Sequence, residues 1–260
     1  AELHCLSNFT FLRGASHPAE LVHQAYALGY RALALTDECS ISGVVRAHVA
    51  ARELGLQFII GSEFTLNNGD KFVLLVTNKN GYRQLTRLIT LARRRAPKGE
   101  YHLTVDDLRA KSLSDCLSLV VCDPSPTPIE RKHAKFQAIS DHAKRLKSLM
   151  PNRVWLTLEQ PGYGTDECHQ KNLEALSENL QIPIVATGNV HMHCRARQPL
   201  QDTLTAIRHQ KSILNIKHCL AANAERHLRS KKFLKHLYRK TALNHSIQIA
   251  EQCYWINILL

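Results

Sequence analysis

Six places along the chain set a polar, proton-handling or metal-binding side chain where a run of aliphatic residues stops. They are His4, Asp37 with Glu38, Glu63, Glu159, Asn189 and His191. In an α/β barrel, ligands collect at the C-terminal ends of the strands. His, Asp and Glu together suit Zn²⁺, Mn²⁺ or iron. Two or three such ions could polarise a phosphodiester and activate water for in-line attack. A plainer reading stands beside this one. An Asp-Glu pair after a strand often caps the next helix, and a lone histidine is usually a satisfied polar residue.

The elements that must position these residues follow from the hydrophobic pattern. Strands are expected at 2–5, 31–36, 57–64, 71–77, 117–122, 153–158 and 184–187. Helices are expected at 18–28, 44–54, 82–95, 105–111, 131–149, 167–179 and 195–209. Runs such as ALAL and LSLVV have the unbroken apolar character of strands buried on both faces, as in a parallel sheet. Alternating β and α units with short loops give an α/β fold, open or closed into a barrel. Gly29 and Gly55 sit at helix C-caps, and Pro18 opens a helix. The stretch DPSPTP from Asp123 to Pro128 is a rigid loop before a long basic helix. Past Leu214 the rhythm stops, and two helical patterns remain, at 224–238 and 242–253. The expected division is a barrel-like domain over 1–213 and a basic helical extension over 214–260.

A chain of 260 residues with 44% apolar content is long enough for one barrel. It has no run of 18 apolar residues, which excludes a spanning helix of ordinary composition. No signal peptide is visible in AELH, and the eight cysteines form no CxxC pair. They read as reduced thiols of a cytoplasmic protein. The net charge is +12, and the segment Arg195 to Lys240 carries +10 of it, with twelve Lys and Arg against Asp202 and Glu225. Such a segment is either a solvated face or a surface for a polyanion such as DNA. On the second reading Arg226, Arg229, Lys232, Lys235 and Lys240 point outward as DNA-binding residues. Leu228, Phe233, Leu234 and Leu237 then pack inward.

Motif order carries a more specific signal. The series is HCLSNFTFLRGASHP, ALTDECSISGVVRAH, GSEF, LLVTNKNGYRQLTRLI, ATGNVHMHCRARQPLQDTLTAIR and NAERHLRS. It resembles the PHP domain of bacterial replicative DNA polymerase alpha subunits, in their error-prone, damage-inducible branch, from Ala1 to about Cys253. The resemblance implies a distorted (β/α)7-type PHP barrel with a multi-metal cleft, which in members with an intact site can act as a metal-dependent 3′–5′ exonuclease. It also implies DNA and the remainder of a polymerase chain as partners, and a sliding clamp and translesion accessory proteins through parts beyond this chain.

Carried over residue by residue, the family's metal-binding pattern is incomplete here. The paired histidines of the first strand appear as His4 and Leu6. The Asp expected before Gly14 is Arg13. The His after T-D is Glu38, and the Glu of the third strand is Glu63. The His near the LLVTN strand is Lys71. The D-x-H of the last strand is Asn189-Val190-His191, and the His expected after VWLTLEQ is Pro161. His4, Glu63 and His191 remain as residual catalytic candidates. With Glu38 and Asn189 they could hold one divalent ion (Zn, Mn or Mg) as a weak site. Arginine stays protonated in proteins, so Arg13 can replace an ion as the partner of Glu63 or Glu38. The expectation is a structural, DNA-proximal module of an error-prone polymerase with hydrolysis lost and no polymerase active site of its own. The alternative is a residual metal-dependent phosphoesterase or 3′–5′ exonuclease. The apolar tail YWINILL from Tyr254 to Leu260 reads as the stump of a longer chain or an interrupted reading frame.

Overall fold

The computed structural model describes residues 1–108, 113–124 and 129–254. Its first half runs α1 (Pro18–Ala27), β1 (Ala32–Leu35), α2 (Val44–Leu54), β2 (Gln57–Thr65), β3 (Lys71–Val76), α3 (Lys79–Arg94) and β4 (Cys116–Val120). The second half runs α4 (Ile129–Leu149), β5 (Val154–Leu158), α5 (Asp166–Leu180), β6 (Ile184–Ala186), α6 (Gln198–Arg208), α7 (Lys231–Leu237) and α8 (Lys240–Gln252). The strands form one six-stranded sheet in chain order. The N-terminal segment lies between its two ends. Glu2 bridges Leu33 of β1 on one side and Cys5 bridges Val190, just past β6, on the other. The sheet is therefore curled toward a barrel, with residues 2–5 in the seventh strand position.

The sheet is not wholly parallel, as the apolar runs suggest. β3 is antiparallel to both β2 and β4. The reason is a tight hairpin in place of a crossover helix. Leu66 donates to Asp70 O at 2.8 Å and Gly69 to Leu66 O at 2.8 Å, with Gly69 at φ 89°. Asn68-Gly69 is a turn signal of the two-residue hairpin kind, and it reverses the chain before any helix can form.

Alternate residues of each strand face inward. Ile59, Val73, Leu75, Leu117, Leu119, Trp155 and Val185 form one buried cluster. The opposite parity, with Phe58, Ile60, Phe72, Leu74 and Leu156, packs under helix residues such as Leu85 and Leu173. The inner cluster also contains Ile249, Ala250 and Cys253 from α8 and its end. Gln57 Nε2 donates to Ala250 O at 2.5 Å, and the N-terminal amine donates to Ser246 Oγ at 3.1 Å. The segment after residue 213 therefore does not lead out of the barrel. Its last helix closes one end of the inner core, because its small and aliphatic face matches the apolar interior.

Two expected helices are shorter than their patterns. Only Val105–Asp107 is helical within 105–111, as a 3-10 turn, and residues 109–112 lie outside the described residues. In the 224–238 pattern the helix begins at Lys231, where the Ser230 side chain accepts from Phe233 N. His227 upstream is held in a bridge to Met192 instead. Residues 125–128 of the DPSPTP loop and residues 255–260 of the tail lie outside the described residues.

Candidate functional site: an ion-paired cleft

The inward parity that fills the core continues past it as polar residues. On β2, Ile59 is followed two and four positions later by Gly61 and Glu63. After β5, Trp155 and Thr157 lead to Glu159, and after β6, Val185 and Thr187 lead to Asn189. β3 runs the other way, so Lys71 at its start joins the same end. A cleft of about 280 Å³ lies there, lined by Arg13, Lys71, Asp123, Asn189, His191 and Arg226. One wall is α6, through Gln201 and Arg208.

Arg13 is delivered by the tight loop 8–14. Asp37 fixes that loop: it accepts from Ser7 N, Ser7 Oγ and Thr10 Oγ1, each at 2.7 Å. Asp37 is thus a positioning residue in a buried turn. Gly14 closes the loop so tightly that an added Cβ would sit 1.9 Å from Ser7 O. No side chain fits there, and the constraint comes from this close approach.

Charges alternate across the floor of the cleft. His4 is fully buried and donates from Nε2 to Glu63 Oε2 at 2.8 Å. Its Nδ1 lies 3.5 Å from Glu159 Oε1, an ion-pair contact. Glu63 Oε1 accepts from Arg13 at 2.7 Å, and Arg13 also pairs with Glu38 Oε2. Glu38 Oε1 accepts from the Tyr101 hydroxyl at 2.9 Å. Glu159 Oε2 accepts from Asn189 Nδ2 at 3.0 Å and faces Arg226 at 3.6 Å, which also reaches Asp123 at 3.4 Å. His191 Nε2 stands 3.0 Å from Asn189 Oδ1.

Burial alone would push the His4 ring toward the neutral form. The carboxylates of Glu159 and Glu63 overcome it and hold its pKa at about 9. Burial works against ionised Glu63, yet Arg13 and His4 keep its carboxyl well below the usual range, with Lys71 adding to the effect. Glu159 is lowered against burial by His4 and Arg226. His191 is driven well down by burial and by the positive charge of Arg226 and Arg13, so it stays a neutral imidazole.

A metal ligand must offer a lone pair, and here several of the best donors are already engaged. Protonated His4 has none. Both oxygens of Glu63 and both of Glu38 already accept from cations or hydroxyls. Among the described residues no group of three His, Cys, Asp or Glu is arranged to hold an ion. Neutral His191 keeps a lone pair and Glu159 Oε1 has no hydrogen-bond donor, but His191 stands beside the cations Arg13 and Arg226, and Glu159 beside Arg226.

These pKa shifts give a pH dependence of folding. A raised His4 pKa contributes stability that is fully present below about 6.5 and is lost as pH rises through about 9. The lowered Glu63 and Glu159 contribute stability that is present above about 4.5 and is lost on acidification. His191, held neutral, works the other way and loses stability as pH falls below about 6.5, so urea midpoints should peak near pH 6.5. Between pH 6.5 and 9 the contribution of His4 should fall by on the order of 3 kcal/mol. His4→Gln should flatten that limb, and a parent that is already flat there contradicts the pairing.

The sequence-derived candidates separate clearly in space. Glu38 and Glu63 pair with Arg13, His4 pairs with Glu63, and Asn189, His191 and Lys71 line the same cleft. Arg226 does not point outward. It faces the cleft because residues 226 and 227 are drawn in beside His191 and Met192. Arg229 is buried and donates to the carbonyls of Gln160 and Glu225. Lys232, Lys235 and Lys240 are exposed. Tyr101 went unnoticed in the sequence, where nothing marks a loop tyrosine as a partner of Glu38. Asp123, at the end of LSLVVC, obeys the same strand-end rule as the others and could have been found by it.

Residues 2–160 match the family model described as the PHP domain. The chain is 48% identical over 97% of its length to a protein of Methylococcus capsulatus named error-prone DNA polymerase. It is 47% identical over 98% of its length to one of the same name from Dechloromonas aromatica. It spans about a quarter of those relatives, 23% and 24% of their lengths. Among solved structures, a Bifidobacterium adolescentis protein assigned as a metal-dependent phosphoesterase aligns with TM-score 0.48 and 14% identity, covering 73% of this chain and 87% of that one.

Proposed function

We propose, for a chain that belongs to the PHP domain family, that it is the PHP module of an error-prone DNA polymerase, kept as a structural and DNA-proximal element. In this reading ion pairs stand in for the catalytic metals of the family. The observation that carries it is Arg13, a permanent cation held between Glu38 and Glu63. A guanidinium at that point neutralises the carboxylates without offering a site for water activation. It braces the cleft and cannot generate a hydroxide.

Nucleotidyl transfer, the clamp and the accessory proteins of translesion synthesis belong in this account to the other three quarters of a chain like its relatives. Among the described residues no helix is long and apolar enough to cross a membrane. A module of a DNA polymerase would act in the bacterial cytoplasm.

The reading is tested on labelled single-stranded DNA with Mn²⁺ or Zn²⁺ supplied. No cleavage above the protein-free control is expected, and none that responds to His191→Ala. Robust cleavage that disappears in His191→Ala would establish the residual phosphoesterase instead.

A further inference from the structure

The strongest unassigned cationic feature lies on α3, outside the segment where the sequence concentrates its net charge. The charge of 195–240 is partly consumed by the fold. Arg226 and Arg229 are turned inward, Arg195 pairs with Glu225, Arg197 with Glu20, and Arg239 with Glu174. On α3 the opposite holds. Its 16 residues, KNGYRQLTRLITLARR, contain no acid at all. Gly81, Leu85, Leu88 and Ala92 form the buried stripe. Lys79, Arg83 and Arg87 lie on the other side, exposed, and none has an ion pair among the described residues. They repeat every four residues, so they stand in one row at steps of about 6 Å.

Folding accounts for the other arginines of this helix. Arg93 donates to the carbonyls of Cys39, Glu38, Gly99 and Glu100. Arg94 is in the last turn, where a cation suits the helix dipole, and Arg95, just beyond, binds Asp107. No such account covers Lys79, Arg83 and Arg87. Lys79 opens the helix, where the dipole disfavours a cation, and no acid one turn away relieves the row. The row works against helix stability and faces solvent.

We infer that the Lys79–Arg83–Arg87 row of α3 is a contact surface for a nucleic-acid backbone. A regularly spaced row of cations complements a regularly spaced row of phosphates, without reading bases. The inference deepens the DNA-proximal reading above and rests on it, while the ion-paired cleft is independent of it.

The test is anisotropy of a labelled oligonucleotide, single-stranded and annealed, titrated with the full chain over a range of salt concentrations. Lys79→Glu, Arg83→Glu and Arg87→Glu together should weaken binding about ten-fold or more at low salt. They should reduce the slope of log K against log salt by about 2 to 3, from 0.7 to 0.9 per lost contact. Only Lys79→Glu meets the favourable end of the dipole, and the row keeps like charges four residues apart, so the thermal midpoint should hold. Arg83→Lys with Arg87→Lys should keep binding. A control triple, Lys232→Glu, Lys235→Glu and Lys240→Glu, reverses the same charge on another exposed face and should weaken binding less than the α3 triple does. Parent-like binding by the α3 triple overturns the surface, as does a loss confined to the control triple. Absence of binding by the parent at low salt overturns both the surface and the DNA-proximal reading, and leaves the cleft untouched.

Discussion

Glu63→Gln is expected to be among the most destabilising single substitutions in the chain, at about 3 to 5 kcal/mol. Glu63 is 1% exposed and accepts from two cations at once, His4 at 2.8 Å and Arg13 at 2.7 Å. Glutamine keeps the volume and removes the charge. Arg13 cannot shed its proton, so it retains only Glu38, which is half-buried. His4 loses one of the two carboxylates that keep it protonated and must give up its proton or stay charged without that partner. Chemical denaturation of the parent, Glu63→Gln, Arg13→Met and the double variant would measure the coupling. The double variant should be less destabilised than the sum of the singles by roughly 1 to 3 kcal/mol. A loss below about 1 kcal/mol for Glu63→Gln would mean that water screens the pair, and the network would not be holding the cleft.

The second large effect is a gain. Arg13→Asp with Asn189→Asp changes the local charge by three units and returns to Glu38 and Glu63 the lone pairs that Arg13 occupies. It also restores two residue types that the family pattern calls for. Without metal the variant should be destabilised, because the carboxylate introduced in place of Arg13 would face Glu38 and Glu63 with no cation between them. With Zn²⁺ or Mn²⁺ it should recover, since an ion that binds only the folded state stabilises it by about 2.7 kcal/mol at one hundred times its Kd. The parent should show no thermal shift on adding the same metals. Equal shifts in parent and variant, or none in either, contradict the view that Arg13 is what keeps a metal out.

Much of this was legible in the residues. The alternation that placed Glu63, Glu159 and Asn189 at strand ends is a local property of extended chain, and it survived folding intact. Arg13 opposite Glu38 and Glu63 was an expectation of the family resemblance alone, carried over position by position from the family's metal-binding pattern. What the sequence hid was direction and closure. The Asn68-Gly69 hairpin reversed β3, a five-residue decision inside a pattern that otherwise alternates strand and helix. The packing of α8 into the inner core depends on Ile249, Ala250 and Cys253 meeting strands far away in the chain, which periodicity within one helix does not reveal. Net charge by window misled in both directions. It counted Arg229, which is buried on carbonyls, as surface, and it passed over α3, whose cations are balanced elsewhere in the chain and not on its own face.

The most direct measurement is metal content. The full chain is dialysed against Zn²⁺ and Mn²⁺, freed of unbound ion and analysed by mass spectrometry, with Arg13→Asp/Asn189→Asp alongside. The ion-paired cleft predicts a parent with far less than one equivalent of either metal and a variant that retains it. A parent that holds one or more equivalents, lost when His4 or Glu63 is replaced by alanine, would show that the cleft is a metal centre after all.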